Sequence, residues 1–363
     1  MFFTNFVISF LVSSFTIAVI MLFKKVFQKQ LSAKWQYNLW FLLLIALTLP
    51  FIPNHLFNFG NDFILDLNLN QNNGINPSII TNGDQLIRNV NWMQDFTISV
   101  NQTNLVFLDI ILAGTWIAGM FIWAALTIHA WLKLKKIKST ISALKNKEVL
   151  ILFEQCKQSL NISRHLVLGE SSHVKSPMTF GLFKTYVVLP IHFEEWFSME
   201  DIKYIFLHEL NHYKYKDIAT NYLIVIYQIL YWFNPFVWFA FREMRLDREI
   251  ACDIAVLNSL DERSYAEYGN TIINFVDRAS QPRNFALANH LNGSKKQIKR
   301  RIERIASFTT ESKLLKLKSI AIFMLVGVFV VSQVPFISVM ADDNNLYDFK
   351  SERTVYEDLS EYF

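Results

Sequence analysis

Four stretches of this 363-residue sequence are apolar enough, for long enough, to demand a hydrocarbon solvent, and that demand limits every other choice the chain can make. A helix that crosses a bilayer needs about 20 mostly apolar residues, because the lipid core offers no water to satisfy an unpaired N–H or C=O. Residues 5–23, 37–52, 105–132 and 317–340 have that character. The composition agrees, since 52% hydrophobic with 18% charged residues does not suit an ordinary soluble enzyme. A net charge of +4, scattered along the chain, makes no case for nucleic acid as a partner. Cys156 and Cys252 lie too far apart for a paired metal or redox motif.

Basic residues beside the spans set the orientation, because Lys and Arg are retained on the cytoplasmic side. Lys24, Lys25, Lys29 and Lys34 follow the first span, whereas Arg88 is the single basic residue in the Asn-rich stretch 54–104. Lys133, Lys135, Lys136 and Lys138 follow the third span; Lys313, Lys316 and Lys318 mark the start of the fourth, and Asp342 and Asp343 follow it. Both termini are therefore expected outside. The plan is residues 1–53 for two spans and a short cytoplasmic loop, 54–104 for a poorly ordered extracytoplasmic loop, and 105–132 for the third span. A cytoplasmic domain (133–316), the fourth span (317–340) and an extracytoplasmic tail (341–363) complete it. The positive charges follow the first apolar stretch, the reverse of a secretory signal, so residues 1–29 read as a retained anchor.

The chemistry is carried by His208-Glu209-Leu210-Asn211-His212, an HExxH pattern. On a helix, positions i and i+4 share one face, so both imidazoles reach one zinc ion while Glu209 approaches the water at its open position. Ser198 and Asp201 signal the start of that helix, and Ile202, Ile205, Phe206 and Leu210 give it an apolar stripe. A catalytic zinc needs a third protein ligand. Glu249 is the candidate, on a helix expected over about residues 242–258, and Asp253 at i+4 is placed to accept the spare N–H of a ligand histidine. The plain alternative is a solvent-exposed acidic helix balanced by Arg245 and Arg248. Cys252 reads as a small hydrophobe rather than a fourth ligand, since a closed site leaves no place for water.

Residues 218–241 are nearly as apolar as a span. One crossing there would put Glu249 across the bilayer from His208 and His212, which a single ion cannot bridge. The expectation is two helices broken at Asn234-Pro235, packed in the domain core or dipping into the bilayer and returning. Further on, Lys295, Lys296, Lys299, Arg300, Arg301 and Arg304 interleave with Ile298, Ile302 and Ile305. That reads as a basic amphipathic helix anchored to anionic membrane lipid, with no direct nucleic-acid binding expected.

The segments HELNHYKYKD, YWFNPFVW, REMRLDREIACDIAVL, SPMTFGLFKTYVVLP and NGSKKQIKRR resemble the BlaR/MecR-type antirepressor membrane zinc metallopeptidases, transducers of beta-lactam sensing in Gram-positive bacteria. The resemblance covers essentially the whole chain. It implies a mainly α, polytopic four-span protein of the bacterial cell membrane with a cytoplasmic α+β zincin-like domain. It implies Zn2+ held by His208, His212 and Glu249, Glu209 as catalytic glutamate, and a strand over residues 186–189 whose edge a substrate backbone would join. The implied substrate is a dimeric cytoplasmic DNA-binding repressor. Self-cleavage is implied around residues 289–293, at His290 and Leu291, a stretch that otherwise reads as a surface loop. A homodimer is a partner left open.

Full-length members carry a penicillin-binding sensor domain after the last span, with S-x-x-K and K-T-G motifs, and neither motif follows Met340. The tail from residue 347 resembles the juncture leading into that sensor, and direct antibiotic binding is not expected of these residues. Ser172 and Lys175 match S-x-x-K in letters only. Two rival functions use the same ion: a housekeeping membrane metallopeptidase of protein quality control, and a non-catalytic transducer stabilised by zinc.

Overall fold

The computed structural model describes residues 2–49, 105–280 and 288–332. The Asn-rich segment, the tail, and the ends of the expected second and fourth spans lie outside them. Helix α1 covers Phe2–Val26, α2 Ala33–Thr48 and α3 Leu105–Ser139. Three helical segments are long and apolar enough to cross a membrane among the described residues: Ser9–Val26, Asp109–Ser139 and Lys313–Val331. Helix α2 is as apolar but has 16 residues. At 1.5 Å per residue it extends about 24 Å, short of a hydrocarbon core about 30 Å thick.

After α3 come β1 (Ser142–Ala143), α4 (Lys147–Ser159), β2 (Val167–Ser171), β3 (Met178–Phe180) and β4 (Tyr186–Pro190). Then follow α5 (Met199–Lys214), α6 (Asp217–Leu230), α7 (Pro235–Leu257), α8 (Tyr265–Ser280), α9 (Ala288–Ala306) and α10 (Lys313–Val331). The chain divides into two compact units. One comprises Met1–Val19, Leu42–Gly119 and Leu325–Phe363; its described part is apolar helix, with Leu43, Leu47, Val326 and Val330 buried. The other, Ile20–Phe41 with Met120–Met324, contains the sheet, α4 to α9 and every candidate site residue. It thus takes in residues 20–41, from the hairpin of the first two helices.

The sheet has the order β1-β2-β4-β3, with β2 and β4 parallel and the other pairs antiparallel. Strand β4 is central, which explains the unbroken apolar run Val187, Val188, Leu189: all three are buried. This corrects the expectation drawn from residues 186–189. That strand is present, but β2 and β3 occupy both its edges, and the edge next to the site is that of β3. Gly181 makes the β3–β4 turn: its φ is +95°, and a Cβ there would lie 2.2 Å from the Lys184 carbonyl oxygen.

Helix α5 begins where Ser198 and Asp201 place it. The Ser198 hydroxyl accepts from the Asp201 N–H, and the Asp201 carboxylate accepts from the Ser198 N–H, each at 3.2 Å. Its stripe of Ile202, Phe206 and Leu210 is fully buried against Val149 and Phe153 of α4 and Val187 and Leu189 of β4. Each such side chain contributes about 1.5–3 kcal/mol. The apolar stretch 218–241 is two helices, as expected, broken at Asn234-Pro235. The Asn234 side chain accepts from the Phe236 N–H at 3.0 Å, and Pro235 opens α7 where no N–H is needed. Helix α9 departs from expectation twice. Residues 289–293 belong to the helix, not to a surface loop. Its basic stripe does not face lipid throughout, since Ile305 is in the core and Arg301 is directed into the domain.

Candidate metal centre

Helices α5 and α7 pack so that three expected ligands meet. His208 Nε2 and His212 Nε2 lie 3.5 and 3.7 Å from Glu249 Oε2. One donor atom from each residue falls within 4.8 Å of the others. Donors about 2.0–2.1 Å from a tetrahedral ion sit about 3.3 Å apart, so two imidazoles and a carboxylate at these separations suit one divalent metal with little adjustment. Glu209 projects beside them, and the Thr179 hydroxyl of β3 donates to its Oε2 at 2.8 Å. A cavity of about 300 Å³ opens onto these groups, bounded also by Ser176, Ile218, Asn221 and Phe275.

Each imidazole is held from behind. Asp253 Oδ1 is 3.2 Å from His208 Nδ1, and the Tyr268 hydroxyl is 3.1 Å from the same nitrogen. Asp253 is fully committed: the Tyr268 hydroxyl donates to Oδ1 at 2.6 Å, and Arg301 forks onto both oxygens at 2.7 and 2.8 Å. His212 is held by Asp217, whose Oδ2 lies 2.7 Å from Nδ1. A carboxylate beside Nδ1 orients the ring and leaves Nε2 on the Glu249 side. The corner that makes this contact depends on Lys216 in a left-handed conformation, φ 59°, between α5 and α6. Cys252 Sγ lies 3.3 Å from His212 Nδ1, on the side away from Glu249. Burial and the surrounding carboxylates push its thiol pKa well up, so it remains a neutral thiol.

Burial alone would lower the His208 pKa, but Asp253 and Glu249 outweigh it and raise the metal-free imidazole to about 9. Burial likewise opposes ionisation of Glu249, yet His212, His208 and Arg301 hold its pKa well below the usual carboxylate range. Asp253 is depressed in the same manner, with Arg301 outweighing burial.

The sequence reading missed Asp217, Tyr268, Thr179 and Arg301. For Arg301 a signal existed: it shares the i, i+3, i+4, i+7 face of Ile298, Ile302 and Ile305, the face that packs inward. Arg245 is not among the residues lining the cavity, whereas Arg248 and Arg301 are. The side chains of His290 and Leu291 lie outside the described set.

A family model described as BlaR1 peptidase M56 matches residues 5–305. The chain belongs to the M56 peptidase family. Regulatory protein BlaR1 of Bacillus licheniformis is 34% identical over 368 residues, covering 100% of this chain and 60% of that relative. The methicillin resistance mecR1 protein of Staphylococcus aureus (strain Mu50) is 28% identical over 335 residues, 91% of this chain and 56% of its own length. The BlaR1 of Staphylococcus aureus is 26% identical over 347 residues, 93% and 56%. The chain therefore spans about three fifths of the curated relatives it matches. M56 membership indicates a metallopeptidase and hence a metal, and with three membrane-length helices the chain is a membrane protein.

Proposed function

We propose that this chain is a zinc metalloendopeptidase acting as the signal transducer of a beta-lactam resistance response. His208, His212 and Glu249 hold the ion. The observation that carries the reading is the convergence of those three donors on an open cavity with Glu209 beside them and Asp253 and Asp217 behind the imidazoles. Zinc, when bound, supplies Lewis acidity that makes water nucleophilic near neutral pH and polarises a peptide carbonyl.

The chain's own residues do the rest. Glu209 takes the proton of the attacking water and returns it to the leaving amine. Thr179 restrains Glu209 through one oxygen and leaves the other for that proton. Among the described residues β3 pairs on one side only, with β4, so its other edge is available to an extended substrate, which would lie alongside Glu209. Substrate segments are thus read as extended backbone; a cut at 289–293 requires the first turns of α9 to unwind.

The substrate we propose is a cytoplasmic DNA-binding repressor, with self-cleavage near His290 and Leu291 as a second event. Four spans, both termini outside and residues 133–316 in the cytoplasm give the site access to it; the lysines at the ends of α1 and α3 and at the start of α10 support that orientation. The test is Glu209→Ala in the full chain with purified repressor. Zinc content should persist while repressor cleavage and self-cleavage both stop. Cleavage that survives the substitution refutes the enzymatic reading.

A further inference from the structure

Tyr37 is not among the residues lining the site cavity, yet it is wired to the centre. It lies on the second turn of α2, 3% exposed, and its hydroxyl donates to Asp217 Oδ1 at 3.0 Å. Asp217 is equally buried, and its other oxygen faces His212 Nδ1 at 2.7 Å. A buried carboxylate with both oxygens engaged has one satisfied orientation. If Tyr37 released Oδ1, the side chain would be free to turn, and the Cys252 thiol is the other group beside His212 Nδ1. A neutral thiol is a far weaker acceptor than a carboxylate and does not fix the tautomer.

The same hairpin grips the other ligand-bearing helix. Trp40 Nε1 and Lys24 Nζ both donate to Asp247 Oδ2, two residues before Glu249. Trp40 and Asp247 are buried, so these contacts are fixed points of the packing. The loop between α1 and α2 is in turn bonded to α10: the Ser32 N–H donates to Ser319 Oγ at 3.0 Å, whose own proton has the Leu315 carbonyl at 2.8 Å and the Gln30 carbonyl at 3.2 Å as acceptors.

We propose that Tyr37 is a positioning residue of the metal centre: through Asp217 it keeps His212 in the tautomer and orientation that present Nε2 to the ion, so zinc affinity is set partly from helix α2. This rests on the metallopeptidase reading of the site. Partners of a ligand's outer nitrogen are worth about 10–100-fold in metal affinity. One hydrogen bond further out, Tyr37→Phe should weaken zinc by about three- to tenfold.

The experiment is chelator competition for zinc on the detergent-solubilised full chain. It compares the unsubstituted protein with Tyr37→Phe, Asp217→Asn and their combination, and with Leu39→Ala as an equally buried α2 change that offers no hydrogen bond. The expected result is weaker binding in Tyr37→Phe, still weaker binding in Asp217→Asn, and a double variant no weaker than Asp217→Asn alone. Leu39→Ala should lower thermal stability with zinc affinity unchanged. Unaltered affinity in Tyr37→Phe, or an effect that adds in full to that of Asp217→Asn, overturns the proposal while the metal reading stands. Failure of the unsubstituted chain to bind zinc overturns both.

Discussion

Loading the metal-free protein with zinc at pH 7 should expel a proton from His208. The imidazole, raised to about 9 by Asp253 and Glu249, is about 99% protonated at that pH, against about a quarter for an ordinary histidine. Binding through Nε2 needs the neutral ring, so His208 alone should release about one proton per ion. Calorimetric titration in buffers of different ionisation enthalpy reads this number directly. Asp253→Asn removes the first-named stabiliser of the imidazolium and should cut the release by a substantial part of one proton. A total release below about half a proton, or a release unchanged in Asp253→Asn, refutes the assignment. The same shift has a stability consequence for the metal-free fold. A histidine whose folded pKa lies above its unfolded 6.5 contributes stability that is complete below 6.5 and is lost as the pH rises through about 9. The shift corresponds to about 3 kcal/mol, so the thermal midpoint of the metal-free protein should fall across that window.

Replacing Arg301 with Gln leaves the buried Asp253 carboxylate without its forked partner, and thermal or denaturant unfolding should show a loss of about 3 kcal/mol. Tyr268→Phe removes the hydroxyl that donates to Asp253 and contacts His208 Nδ1, a change expected to cost about 1–2 kcal/mol by the same measurement. Thr179→Val should leave zinc content intact but slow peptide cleavage about tenfold, since Glu209 loses the donor that orients it. A full rate in that variant would remove Thr179 from the mechanism.

How far the sequence could be read depended on whether contacts were local or distant. The α5 cap at Ser198, the break at Asn234-Pro235 and the inward face shared by Glu249 and Asp253 follow from spacings within one turn or one helix. The convergence of α5 with α7 could be reasoned from chemistry alone, because one ion needs three donors on one side of a membrane. Contacts between distant segments were not legible. Asp217 lies five residues after His212, and it meets that ring only because the chain takes a left-handed step at Lys216. Arg301 looked like a lipid anchor because a basic helix normally solvates its charges; the buried Asp253 that draws it inward is 48 residues away. The 186–189 edge was misjudged because strand order is a property of the sheet, and the apolarity of β4 is that of a strand covered on both faces and paired on both edges.

The acidic residues of the site define what must be assembled before it can work. Asp217, Asp247 and Asp253 are almost fully buried, and Glu249 is held ionised beside them. Buried carboxylates are destabilising unless each meets a cation or several donors. Here those partners come from separate parts of the chain: Lys24 on α1, Tyr37 and Trp40 on α2, Arg248 on α7 and Arg301 on α9. No single helix pair therefore satisfies all of these carboxylates, and undocking either α2 or α9 would leave a buried carboxylate without its partner. Because α2 and α9 reach the site through the same small group of carboxylates, displacement of either helix is expected to alter metal affinity before it unfolds the core.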